Sequence, residues 1–179
     1  MNFTLPQNWP LPDEYMLEIG RLSANFSVME SGVNMAIGKL MGYEGVHDWR
    51  AAVVVAHLNF KQRVDMLETL CHELHDEFPA LADYAKVMSD IKKAQNGRNR
   101  FLHQSLFYDK KSGTVSSVSL SARGQMKPRI DAVSLQDIQR VSAESHLATL
   151  SLHQLITGSK YAPIWERQNQ EVDSGQNAT

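Results

Sequence analysis

Arg98, Asn99 and His103 stand within six residues of one another, in the run Arg98-Asn99-Arg100-Phe101-Leu102-His103. Imidazole titrates near neutrality and can take or give a proton. Guanidinium offers two parallel donors that match a phosphate. The pair suits cleavage of a phosphodiester beside a 2′-hydroxyl. There the hydroxyl must lose a proton, the leaving 5′-oxygen must gain one, and the pentavalent phosphate gains negative charge. One such motif supplies one histidine. A two-fold dimer supplies two, one as base and one as acid. The need for two proton carriers, with polar Gln95 and Arg98 on an inward stripe, therefore predicts a homodimer whose 98–103 segments are adjacent.

These residues fall late in an apolar stripe of Leu81, Tyr84, Met88, Ile91, Gln95, Arg98 and Leu102, with steps alternating three and four. Gln95 and Arg98 occupy places where the pattern asks for apolar side chains. A buried arginine costs several kcal/mol unless paired. Either an acid such as Glu30 pairs with Arg98, or the stripe faces a groove or a subunit interface. At about 100° per residue Asn99 and His103 share a face, and Arg98 is rotated roughly 140° from His103. Asn96-Gly97 predicts a kink or restart that would change this angle. Arg100 is adjacent, and His146, two turns before His153 on the last helix, is a further candidate for the groove. A structural alternative has an Arg98–Glu30 bridge and His103 buried. An enzyme has both side chains lining an open cleft.

Charge is unevenly spread. Lys92 to Arg140 holds ten Lys/Arg against three Asp/Glu, or +7, and the rest holds eight against seventeen, or −9, for a net −2. Lys92, Lys93, Lys110, Lys111, Arg123, Lys127 and Arg129 form the candidate nucleic-acid surface, with Phe107 and Tyr108 as candidate stacking rings. The plainer reading is a solvated hairpin with lysines at its edges.

The run from Arg98 to His103 resembles the Arg-Asn-x-x-x-His signature of HEPN domains (higher eukaryotes and prokaryotes nucleotide-binding). From composition, Arg-x4-His arises by chance roughly 0.3 times in this chain, and roughly 0.02 times with Asn after the Arg. The resemblance implies a mostly dimeric helical bundle and a metal-independent endoribonuclease without cofactor. It implies Arg98 and His103 as catalytic residues with Asn99 beside them, and a toxin or anti-phage defence role with a cognate antitoxin. One branch of the family carries a tyrosine two residues after the histidine, where its partner enzyme modifies it. Ser105 stands there in this chain, so neutralisation by tyrosine modification is not expected. The alternatives are a non-catalytic HEPN-like protein that binds RNA or a nucleotide, and a helical dimerisation or adaptor protein.

The elements that must position this motif are legible as period. Tyr15, Ile19, Leu22, Phe26, Met29, Val33, Ala36 and Leu40 alternate steps of four and three without a miss, which predicts a long helix opened by Asp13-Glu14 and ended by Gly42 and Gly45. His47 to Ala56 reads as a short buried helix. Phe60, Val64, Leu67, Leu70 and Leu74 form the next stripe, and Pro79 stands where the motif's helix can begin. Ser105–Tyr108, Thr114–Leu120 and Met126–Ile130 read as strands joined by turns at 109–113 and 122–125. Ser134 with Asp137 opens a last helix that Gly158 ends. The expected fold is mainly α, an antiparallel helical bundle with a small β-meander at about 105–130 before the last helix. Residues 1–12 read as an extended arm, 13–160 as one domain, and 161–179 as a polar tail.

Composition narrows the class. With 42% apolar and 21% charged residues, the 179-residue chain excludes wholesale disorder and collagen. The lone Cys71 excludes an internal disulfide. No apolar run reaches a membrane span, and the first residues lack signal-peptide character, so a cytoplasmic protein without membrane contact is expected. No P-loop, dinucleotide fingerprint or Gly-x-Ser-x-Gly elbow occurs. Cys71-His72-Glu73-Leu74-His75-Asp76 reads as a solvated helix end, and no metal site is assigned.

Overall fold

A computed structural model describes residues 10–43, 49–121 and 127–167. Five helices form, α1 (Asp13–Leu40), α2 (Trp49–Val55), α3 (Phe60–Leu74), α4 (Tyr84–Leu102) and α5 (Leu135–Thr157). Between α4 and α5 stands an antiparallel sheet of β1 (Ser105–Asp109), β2 (Thr114–Ser121) and β3 (Lys127–Ala132), in that spatial order. The chain is mainly helical with a three-stranded meander. No helix among the described residues is long and apolar enough to cross a membrane.

Local chemistry sets the ends of these elements. Asp13 and Glu14 occupy the positive end of α1, and Gly42 leaves it with φ +81°. Asn59 and Gln62 cap α3 reciprocally, side chain to backbone in both directions. Ser134 caps α5 by accepting the Asp137 N–H, and Gly158 closes it at φ +74°. The Asp109 carboxylate accepts the Lys111 N–H and the Ser112 hydroxyl, which hold it below the usual carboxylate range and shape the 109–113 turn. The expected 122–125 turn and Trp9 lie outside the described residues.

Apolar side chains collect in two clusters. The larger joins Phe26, Met29 and Val33 of α1 to Leu67, Met88, Ile91 and Ala94, with Leu152 of α5. The smaller joins Leu11 and Leu22 to Phe101, Val115, Val133, Ile138 and Val141, so it lies under the meander. Tyr108 packs against this second cluster, and its neighbour Phe107 points outward, 39% exposed.

Several expectations need correction. The helices are not uniformly antiparallel. Asn25 bonds Ser142 at 2.8 Å, and Gly32 lies against Thr149 and Leu152, so α1 and α5 advance together. Lys93 pairs with Glu144 while Gly97 meets Val141, so α4 opposes α5. Lys92 with Glu68, and Tyr84 with His72, set α4 against α3 as well. Helix α3 starts beside the middle of α1, with Phe60 packed on Phe26 at 4.9 Å, after a connection of residues 41–59. Within it α2 is not buried: Val55 is, but Val53 is 61% exposed. Pro79 opens only a 3-10 turn (Pro79–Leu81), and α4 starts at Tyr84.

Gly97 does not break α4, which runs unbroken from Tyr84 to Leu102. A Cβ there would lie 2.7 Å from a Val141 methyl, so the missing side chain serves close approach of α4 and α5. Gly97→Ala would gain about 1 kcal/mol of helix propensity but overpack Val141 at a cost of about 1–3 kcal/mol. Net destabilisation in urea is expected. A double-mutant cycle with Val141→Ala should show favourable coupling, and zero coupling would sink this account.

Cys71 is fully buried, and burial, with Glu68 nearby, pushes its thiol up to about 11. The folded chain thus holds the proton longer than the unfolded one. The stabilisation is present below the ordinary thiol value and is lost as pH rises above it. At pH 8 iodoacetamide is expected to label Cys71 at the rate of unfolding, not at the rate of a free thiol.

Candidate functional site

Taking Val87 as reference, the buried residues of α4 (Val87, Met88, Ile91, Ala94, Phe101) span one arc, and Arg98 falls near its centre. Along the helix it lies between Ala94 of the larger cluster and Phe101 of the smaller. Its guanidinium carbon sits 4.9 Å above the ring centre of buried Phe26. Arg98 Nε is buried and has no hydrogen-bond partner. Arg98 is half-buried, and no carboxylate among the described residues pairs with it. The Glu30 bridge of the structural alternative is not made; Phe26, one turn earlier on α1, takes that place.

Arg98 Nη1 carries two contacts, one to Asn99 Oδ1 at 3.2 Å and one to His103 Nε2 at 2.5 Å. Guanidinium only donates, so Nε2 is the lone-pair nitrogen in this arrangement and the ring proton sits on Nδ1. The contact forms despite the helical angle between the two residues. His103 is the residue after α4 ends, with φ −113° and ψ −2°, and its N–H caps the Asn99 carbonyl at 3.1 Å. The helix end, not a kink at Gly97, brings the ring round. His103 is exposed, whereas Asn99 and Gln95 are half-buried.

The supporting candidates are spread more widely. Arg100 stacks over Phe101 at 5.3 Å. It also adds to the Ser134 hydroxyl and Arg140 in holding the Asp137 carboxyl low. His146 is not drawn to Arg98. Its Nε2 accepts the Ile164 N–H at 3.0 Å, and its ring packs on Trp165 at 5.2 Å. His153 packs on Tyr161, and the Arg167 guanidinium covers that ring. Residues 161–167, expected as the start of a polar tail, therefore fold back on α5.

The basic residues do not form one open face. Lys92 pairs with Glu68 at 2.6 Å, Lys93 with Glu144 at 2.9 Å, and Arg129 with Asp131 at 2.8 Å. Lys110 and Lys111 are exposed at the hairpin tip without an acid partner among the described residues. Arg123 and the Lys127 side chain lie outside the described residues. No group of three or more His, Cys, Asp or Glu among the described residues is arranged to hold a metal. His72 bonds the Tyr84 hydroxyl at 2.9 Å, and His75 meets the His72 carbonyl.

Phe26 is the site residue that sequence reasoning missed. It read only as core, although an aromatic on the stripe facing an inward arginine is itself a signal. Val141 against Gly97 was also unread.

Burial, with Arg167 adding, holds His146 below its ordinary value of 6.5. The docked segment is thus favoured above that value, and this stabilisation is lost as pH falls through the lowered one. In a Trp9→Phe, Trp49→Phe background, Trp165 fluorescence should report undocking on acidification below pH 6.5. His146→Ala should remove the transition.

Comparison with protein-family models, with curated proteins and with solved structures finds no match to this chain.

Proposed function

We propose that Arg98, Asn99 and His103 form half of a metal-independent RNA-cleaving site of HEPN type, in a HEPN-like helical fold, completed by the same residues of a second copy. The observation that carries this reading is the Arg98–His103 contact, made with no carboxylate among the described residues on Arg98. A guanidinium left with neutral acceptors keeps its charge for an anion. A histidine whose Nε2 lone pair faces that guanidinium is poised beside any phosphate bound there.

In the proposed reaction, Arg98 turns its fork toward the scissile phosphate and releases Nε2. His103 of one protomer takes the proton of the ribose 2′-hydroxyl, which attacks phosphorus. His103 of the second protomer protonates the leaving 5′-oxygen. The products are a 2′,3′-cyclic phosphate and a 5′-hydroxyl. Asn99 keeps Arg98 aimed through its Oδ1. Exposed Lys110, Lys111 and Phe107 at the hairpin supply further contact to the strand. By the resemblance, the role is that of a toxin or anti-phage component restrained by an antitoxin in the cytoplasm.

The Phe26 stack favours a second reading, a structural Arg98 in a dimerisation or adaptor protein. A desolvated cation–π contact is worth up to about 2 kcal/mol.

The test separates the two. His103→Ala should lower cleavage by about 10²–10⁴-fold while the melting temperature stays within about 1 °C, since exposed positions contribute little. Arg98→Lys should be severely impaired because it keeps the charge and loses the fork. Cleavage should survive EDTA, follow a bell-shaped pH curve, and stop when the scissile ribose is replaced by deoxyribose. Unchanged binding of that deoxy strand is expected, because phosphate contacts supply most affinity. Light scattering should show a dimer at micromolar concentration. A monomer, or efficient cutting of the deoxy strand, would falsify the mechanism.

A further inference from the structure

A groove of about 1220 Å³ opens on the side of the bundle formed by α1, α2 and the C-terminal half of α5. Its α1 side carries the small residues Gly32, Ala36 and Gly38 between larger ones. A Cβ on Gly32 would already meet Leu152 at 3.7 Å, and one on Gly38 would lie 2.8 Å from Ala51. Ala51 and Ala52 of α2, with Leu152 and Ile156 of α5, line the sides. Val28 and Met35, 58% and 49% exposed, line it also and leave apolar surface open to water.

The charge of this groove is one-sided. No Asp or Glu stands among the described residues that line it, whereas Arg63 and Lys39 both do. Arg63 is half-buried at the start of α3. It donates Nε to the Leu58 carbonyl at 2.9 Å and Nη1 to Asn34 Oδ1 at 3.3 Å, both neutral acceptors. No carboxylate among the described residues pairs with Arg63 or with Lys39. A half-buried cation held by neutral groups beside an apolar trough complements a ligand with an anionic head and a hydrocarbon body.

We infer that this groove binds an amphipathic carboxylate, an alkyl chain lying along Gly32, Met35 and Leu152 with its head on Arg63. Lys39 is the second, more exposed cation for the same head. The Arg98–His103 pair does not line the groove, so the inference stands apart from the proposed cleavage.

Titration calorimetry on the full chain with decanoate, and with 1-decanol as its uncharged counterpart, tests the inference. Decanoate is expected to bind in the micromolar range, at least about tenfold more tightly than the alcohol, since charge-assisted bonds are roughly twice as strong as neutral ones. Arg63→Gln should erase that preference and leave decanol binding unchanged. Arg63→Lys should retain most of it. Ala52→Trp, at an exposed position that folding tolerates, should block both ligands. Equal affinity for acid and alcohol would overturn the inference. So would no binding at millimolar decanoate, or a chain dimer whose dissociation decanoate does not affect while Ala52→Trp abolishes it, because a second copy would then be the occupant.

Discussion

A guanidinium resting on an aromatic face, with no carboxylate among the described residues paired to it, governs this molecule. Arg98 sits on the inward arc of α4, between the last small residue of one apolar cluster and the first aromatic of the other. Taking an ion out of water costs several kcal/mol. The Phe26 ring offsets part of that through its quadrupole, and the long aliphatic stem buries as core would. The distinction matters because a ring does not neutralise charge. A carboxylate would have closed the site electrostatically, whereas Phe26 supports the side chain and leaves its field intact.

The surrounding architecture is arranged around that seam. Helix α1, 28 residues long, or about 42 Å, contributes Leu22 to one cluster and Phe26 to the other, so a single rod spans both. Because α5 runs with α1 and against α4, its first half packs under the meander while its second half packs on the bundle. Gly97 lets α4 approach α5 closely one residue before Arg98. The meander follows at once from the end of α4, and His103 is the hinge residue between helix and strand. Its position off the helical arc is what brings imidazole and guanidinium together.

What the sequence made legible follows the physics of each signal. The seven-residue rhythm of α1, the caps at Ser134 and Gly158, and the turn at Asp109–Gly113 are local, and each appears within a residue or two of its expected place. The inward position of Arg98 is also a local matter of phase, and it is found. The direction of one helix relative to another is not local: no residue of α1 or α5 announces that the two advance together. Gly97 illustrates the same limit. A glycine after an asparagine reads as a break, but its role is decided by Val141, 44 positions on. What Arg98 rests on, left open between an acid such as Glu30 and a groove or interface, was illegible for a related reason. Sequence logic pairs charge with charge, while packing offered a ring one turn away.

The Arg98–His103 contact also has a consequence for how such a site rests. Both acceptors on Nη1 are neutral, an amide oxygen and an imidazole nitrogen. In the proposed reaction a phosphate, bearing full charge, accepts from the fork more strongly than the neutral imidazole it displaces, while Asn99 Oδ1 keeps its hold. In that reaction an arriving anion would draw the guanidinium away from the ring without a separate conformational change in the helix. In that reaction the lone pair on Nε2 would be released only with the anion in place. In the proposed reaction this ties the base to the presence of substrate, and it asks of the fold only that Phe26 keep the guanidinium carbon centred while its nitrogens exchange partners.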